Sequence, residues 1–235
     1  MNIIITGASK GIGKAIAMAF AKPGNQLLIC SRNEKELIET AKELQEKNPE
    51  TIIQYRATYM GNKTDVLHFA DWCLKFGVPD IIINNAGQFI PGSIHNEPDG
   101  HLEKMLEINL YSAYHLTRRL LPSMIKQKSG HIFNVCSIAA LNAYANGGAY
   151  SISKFALLGF SKNLREEMKP NGIKVTAVLP GATMSASWAG ASIDPNRIME
   201  ANDIATMIYA ASQLSAQAVV EDIIFTSVGR FVVHF

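Results

Sequence analysis

The chain opens Met1-Asn2-Ile3-Ile4-Ile5-Thr6-Gly7-Ala8-Ser9-Lys10-Gly11-Ile12-Gly13, and this stretch decides the fold. Asn2–Thr6 is a short apolar run without polar alternation, the pattern of a strand covered on both faces. From Ile12 to Lys22 the apolar residues recur at helical spacing. Between the two, the glycines at 7, 11 and 13 permit a tight turn, close approach of backbone N–H groups to a ligand, and close packing of helix on strand. The helix turns its positive end towards whatever the turn holds. Strand, glycine turn and helix in that order read as a phosphate-binding unit, contributed by Gly7, Ser9, Lys10, Gly11, Ile12 and Gly13.

The same alternation runs through the chain. Strand-like runs cover Asn2–Thr6, Gln26–Ser31, Thr51–Arg56, Asp80–Asn84, Gly130–Ser137, Ile173–Leu179 and Asp222–Thr226. Helix-like runs cover Ile12–Lys22, Glu34–Lys47, Lys63–Phe76, Gly100–Lys126, Ala149–Met168 and Ala201–Leu214. Strict βα alternation with nearly continuous apolar strands predicts a doubly wound, mostly parallel, seven-stranded sheet with helices on both faces. No repeat or linker divides the chain, so one domain over residues 1–235 is expected.

The second strand ends Cys30-Ser31-Arg32-Asn33. About 20 residues past the glycine turn, an acidic residue selects NAD through the ribose hydroxyls, whereas a basic one accommodates the extra phosphate of NADP. No carboxylate occurs here before Glu34. Arg32 offers a planar fork of donors, Ser31 a hydroxyl and Lys10 a second cation, so the reading is NADP(H) in preference to NAD(H).

Ala149-Tyr150-Ser151-Ile152-Ser153-Lys154-Phe155-Ala156 starts a helical run. Tyr150 and Lys154, at i and i+4, share one helix face. Taken alone, such a pair is usually a surface contact. Beside a ligand crevice it is a proton donor in the making. An ammonium about 4 Å from a phenol, at an effective dielectric of about 20, contributes about 4 kcal/mol, or roughly three pKa units. The expectation is a Tyr150 phenol lowered towards the working range of a general acid.

Further motifs join these: Asn84-Asn85-Ala86-Gly87 after the fourth strand, Ser137 after the fifth, and Pro180-Gly181 after the sixth. Together with Thr6–Gly13, Tyr150 and Lys154, in this order and spacing, the whole chain resembles the short-chain dehydrogenase/reductase family, of the 3-oxoacyl-carrier-protein-reductase-like or small carbonyl reductase type. The resemblance implies a Rossmann fold and a Ser137-Tyr150-Lys154-Asn109 catalytic set. Asn109, within Gly100–Lys126, would hold a water that connects Lys154 to solvent. Asn85, Ala86 and Gly87 would line the adenosine side of the coenzyme. Lys154 would also hold the nicotinamide ribose. Pro180 and Gly181 would pass the nicotinamide, and Ser185, or less closely Thr183, would bind its carboxamide and the pyrophosphate. Met184 to Met199, with Trp188, would form a lid. One departure stands out: Thr58 occupies the place where the family usually has an Asp that contacts adenine.

Composition limits the alternatives. Hydrophobic residues make up 48% and charged residues 18%, with a net charge of +2 and no basic run, which gives nothing for nucleic acid to bind. No apolar stretch approaches the roughly 20 residues of a membrane span, and the N-terminus enters a strand without a signal-peptide pattern. Cys30, Cys73 and Cys136 suit buried thiols, and the histidines show no metal spacing, so no metal and a cytoplasmic setting are expected. No G-x-S-x-G elbow surrounds Ser137 to make it a nucleophile. Phe89, Ile138, Leu141, Asn142, Tyr144, Met184 and Trp188 are the candidate pocket residues; mostly apolar, they suit a small carbonyl or alcohol substrate. Gly100–Lys126 and Ala149–Met168 resemble the helices through which the family forms homodimers and homotetramers. The alternative function is a regulator that senses NADP(H) without turnover.

Overall fold

The computed structural model describes residues 1–184 and 198–227. Its seven strands are β1 (Asn2–Thr6), β2 (Gln26–Ser31), β3 (Ile52–Ala57), β4 (Ile81–Asn84), β5 (Gly130–Val135), β6 (Ile173–Leu179) and β7 (Asp222–Ile224). They form one sheet in the order β3-β2-β1-β4-β5-β6-β7, and every neighbouring pair is parallel. The order reverses between β1 and β4, so a crevice opens outside the carboxyl ends of these two strands.

Period-two alternation sends successive strand side chains to opposite faces. Ile3, Ile5, Ile81, Ile83 and Phe133 pack on one side with α1 (Gly11–Phe20), α2 (Glu34–Lys47) and α7 (Ala201–Ser212). Ile4, Ile82 and Ile132 pack on the other with α3 (Lys63–Leu74), α5 (Ser112–Gln127) and α6 (Gly148–Met168). Both faces of the central strands β1, β4, β5 and β6 are covered, which is why their runs are almost continuously apolar, whereas the edge strand β3 is largely exposed.

The expected helix over Gly100–Lys126 is not continuous. A short α4 (His101–Leu106) passes into a π-helical segment, Glu107–Tyr111, before α5 begins. The extra residue rotates Asn109 inward, where it is 1% exposed. The fifth strand ends at Val135 rather than Ser137, which frees Ser137 from the ladder; its Oγ accepts from Ala139 N at 3.1 Å and starts a 3-10 turn. The seventh strand ends at Ile224 instead of Thr226.

Candidate active site

The glycine turn is built as a cradle. Gly7 adopts φ +67°, and a Cβ there would lie 3.0 Å from the Cα of Ala86. A Cβ on Gly13 would run into the carbonyl oxygen of Gly7. Thr6 Oγ1 accepts from the backbone N–H groups of Asn85 (3.0 Å) and Ala86 (2.9 Å), while Asn85 Nδ2 donates to the carbonyls of Thr6 (2.9 Å) and Gly7 (3.1 Å). Asn84 ties the same segment inward, donating to Thr117 Oγ1 and Asn134 Oδ1. No side chain caps α1, and its first turn holds no acidic residue. The first amides of that helix therefore have no side-chain acceptor of their own, and they fit a pyrophosphate.

Gly7, Ser9 through Gly13, Ser31, Arg32 and Asn85 through Gly87 all line one cleft of about 360 Å³. Arg32 makes no ion pair among the described residues. Lys10 differs from expectation: it is paired with Glu36 at 3.5 Å, and Ser9 Oγ also donates to that carboxylate. Glu36 and Tyr59, not singled out by any motif, also line the cleft.

At the other end of the crevice, Lys154 is 4% exposed and its Nζ donates to Val135 O at 2.9 Å. A Cβ on Gly87 would sit 3.2 Å from Asn109 Oδ1 and 3.5 Å from Lys154 Nζ, so these side chains meet the wall of the glycine-turn cleft. Asn109 Oδ1 accepts from Gln88 N (2.7 Å), and its Nδ2 donates to Gln88 O (3.0 Å) and Ser153 Oγ (2.8 Å). Ser153 in turn donates to the Tyr150 carbonyl at 2.7 Å. Gln88 and Ser153 had no signal in the sequence beyond their neighbours. Phe89 meets the Tyr150 ring edge-to-face, with centroids 4.9 Å apart.

The electrostatics correct the expectation of a lowered phenol. Burial pushes Tyr150 above its ordinary value, and a hydrogen-bonding contribution from Ser137 offsets only part of this. Burial also pulls Lys154 down to about 8, with Cys136 opposing. The ammonium lies 5.8 Å from the Tyr150 ring centre and is itself desolvated, so burial outweighs it at the phenol. Burial raises Tyr144 to about 12, with a second contribution from Tyr150 nearby.

Ser137 Oγ donates to Pro180 O at 3.4 Å, which brings Pro180-Gly181 beside it. Thr183 is buried and donates to Gly181 O at 3.0 Å. Met184 N bonds Met199 O, and Met199 N bonds Ala182 O, so the two ends of the expected lid are pinned together. Ser185 and Trp188 lie outside the described residues, as does the C-terminal stretch 228–235. All three cysteines are free and buried, and no cluster of potential metal ligands occurs among the described residues. No helix among them is long and apolar enough to cross a membrane.

A parallel sheet that reverses its order beside a glycine turn, with Ser137, Tyr150 and Lys154 gathered at the same end, defines a Rossmann-type oxidoreductase. The chain belongs to the short chain dehydrogenase family, whose sequence profile matches residues 1–195. An uncharacterized oxidoreductase of Staphylococcus epidermidis is 30% identical over 213 residues, covering 90% of this chain and 91% of the relative. The fold is similar to L-sorbose reductase from Gluconobacter frateurii, solved with NADPH and L-sorbose (TM-score 0.88, 25% identity, 96% of this chain and 95% of that one). It is also similar to a 7α-hydroxysteroid dehydrogenase solved with NADH and 7-oxo glycochenodeoxycholic acid (TM-score 0.85, 26% identity, 97% and 93% covered).

Proposed function

We propose that this protein is an NADP(H)-dependent oxidoreductase that interconverts a ketone or aldehyde with an alcohol. The observation that carries this is the meeting of Lys154 and Asn109 with Gly87, which joins the proton-handling side chains to the phosphate cradle in one crevice. Gly7 to Gly13 and Asn85 to Gly87 hold the coenzyme, and Arg32, with no ionic partner among the described residues, takes the 2′-phosphate. Ser31 adds a hydroxyl on the same rim, and Lys10 adds charge once it leaves Glu36. Pro180, Gly181 and Thr183 flank the nicotinamide end. When bound, the reduced nicotinamide supplies a hydride.

Ser137 and Tyr150 donate hydrogen bonds to the substrate oxygen, stabilising the charge that develops there. Tyr150 gives that oxygen its proton. Lys154, held by Val135, stabilises the phenolate left behind. Asn109 keeps Gln88 and the α6 backbone in register around this set. The apolar rings of Phe89 and Tyr144 beside Tyr150 favour a nonionic substrate. The exposed Tyr111, Tyr114, Ile152 and Phe155, on the π segment, α5 and α6, support self-association as a homodimer or homotetramer.

The test is a panel of carbonyl compounds with NADPH, followed through loss of the reduced coenzyme. Turnover with at least one small carbonyl is expected, and Tyr150→Phe should lower kcat by about 100-fold or more while NADPH still binds. Binding of NADPH with no turnover across the panel would favour a sensor of the coenzyme.

A further inference from the structure

The end of the cleft beyond Arg32 is framed by an aromatic side chain that no motif singled out. Thr58 is buried, its N–H bonds Ser31 O at 2.9 Å, and its hydroxyl hydrogen is committed to Arg56 O at 3.2 Å. The next residue, Tyr59, is 40% exposed. It lines the 360 Å³ cleft and also a smaller polar cleft of about 230 Å³ behind it, so it is a partition between the two. Its position is enforced by Gly61: a Cβ there would stand 2.7 Å from Tyr59 Cζ, 2.8 Å from its hydroxyl and 2.9 Å from Ile108 Cγ1. Asn62 N closes the turn on Tyr59 O at 3.1 Å. Arg32 borders the same two clefts. Asp65 lines only the smaller cleft.

We propose that Tyr59 is the stacking platform for the adenine base of the coenzyme, so that this end of the site recognises a base by its face rather than by its hydrogen-bonding edge. The inference rests on the coenzyme reading above. A flat ring held by a glycine and beside a guanidinium, with the one carboxylate of the main cleft, Glu36, engaged by Lys10 and Ser9, suits a planar aromatic ligand. Stacking tolerates changes at the base edge, because every base has a π-face. Tyr59 therefore contributes equally to NADPH and NADH, while discrimination between them rests on Arg32.

The experiment is calorimetric titration of the full-length protein with NADPH, NADH and deamino-NADPH, whose hypoxanthine lacks the exocyclic amine. Tyr59→Ala should weaken NADPH and NADH by a common factor of about ten to a hundred, leaving their ratio unchanged. Tyr59→Phe should bind NADPH within about threefold of the wild type, and so should deamino-NADPH on the wild type. Gly61→Ala, which displaces the ring but keeps it, should reproduce the Tyr59→Ala loss with the thermal midpoint little changed. Unaltered NADPH affinity in a folded Tyr59→Ala protein overturns the proposal and leaves the coenzyme reading intact. A loss of more than about tenfold for deamino-NADPH also overturns it, since the edge would then be read by a group such as Asp65. If the wild type binds neither dinucleotide, both readings fall.

Discussion

Lys154 Nζ lies 5.8 Å from the centre of the Tyr150 ring, and its hydrogen bond goes to the carbonyl of Val135. The two groups are therefore one desolvated unit rather than a phenol tuned by an exposed ammonium. Burial lowers Lys154 to about 8. A lysine in an unfolded chain titrates near about 10.4. Between these values the unfolded state binds more protons, so stability rises with pH across that window and the charged side chain is a burden below it. Lys154→Met should raise the thermal midpoint at pH 7 by about 5 °C and lose that advantage by about pH 10, while kcat falls sharply. Scanning calorimetry at the two pH values checks it; a variant less stable at pH 7 would contradict it.

Arg32 lines the coenzyme cleft without an ionic partner among the described residues. Its guanidinium is free to form charge-assisted bonds with a phosphate. Arg32→Ala should weaken NADPH by about tenfold or more and NADH by less than about threefold. The salt dependence of NADPH binding should fall with it. Equal losses for the two coenzymes, measured by titration, would remove Arg32 as the phosphate reader.

Asn109 spends three hydrogen bonds on Gln88 and Ser153. Removing the side chain strands the partly buried N–H and C=O of Gln88 on the strand-end loop and relaxes the π segment. Asn109→Ala should cost about 2–3 kcal/mol in urea unfolding and lower kcat more than it raises KM. Ser153→Ala, which loses the bonds to Asn109 and to the Tyr150 carbonyl but leaves both Asn109–Gln88 bonds in place, should show a smaller effect of the same kind.

His131 supplies a pH dependence unrelated to the active site. It is 4% exposed and stacks on Phe133. Thr176 gives its only hydroxyl hydrogen to Val220 O, so His131 Nε2 must donate to Thr176 Oγ1, at 2.8 Å, and Nδ1 is left without a partner. Burial, with Lys174 adding to it, lowers its pKa to about 3. An unfolded histidine binds its proton near about 6.5, so the stabilising contribution is complete above that pH and is lost on acidification. Unfolding free energy should drop by up to about 1.4 kcal/mol per pH unit below 6.5, and His131→Gln should flatten that slope. Parallel slopes for the two proteins between about pH 6.5 and 4.5 would count against it.

The parts legible in the sequence are those made by neighbours along the chain. Apolar strand runs and helical spacing declared the doubly wound sheet, because each element must cover its own apolar face. Gly7, Gly11 and Gly13, the Tyr150–Lys154 spacing and Arg32 were visible because one turn or one helix face holds each of them. The rest required chain segments far apart in sequence to meet. Asn109 was marked only by the family resemblance, and its bonds to Gln88 and Ser153 and its place on a π segment came only with the packed fold. The direction of the Tyr150 shift could not be read from an i, i+4 pair, since it depends on how much water the packed fold removes from both groups. Local covalent order thus determined which chemistry the chain carries. Only the packed sheet and helices decided the charge states and contacts under which that chemistry runs, because desolvation and long-range hydrogen bonds exist only once the core has closed.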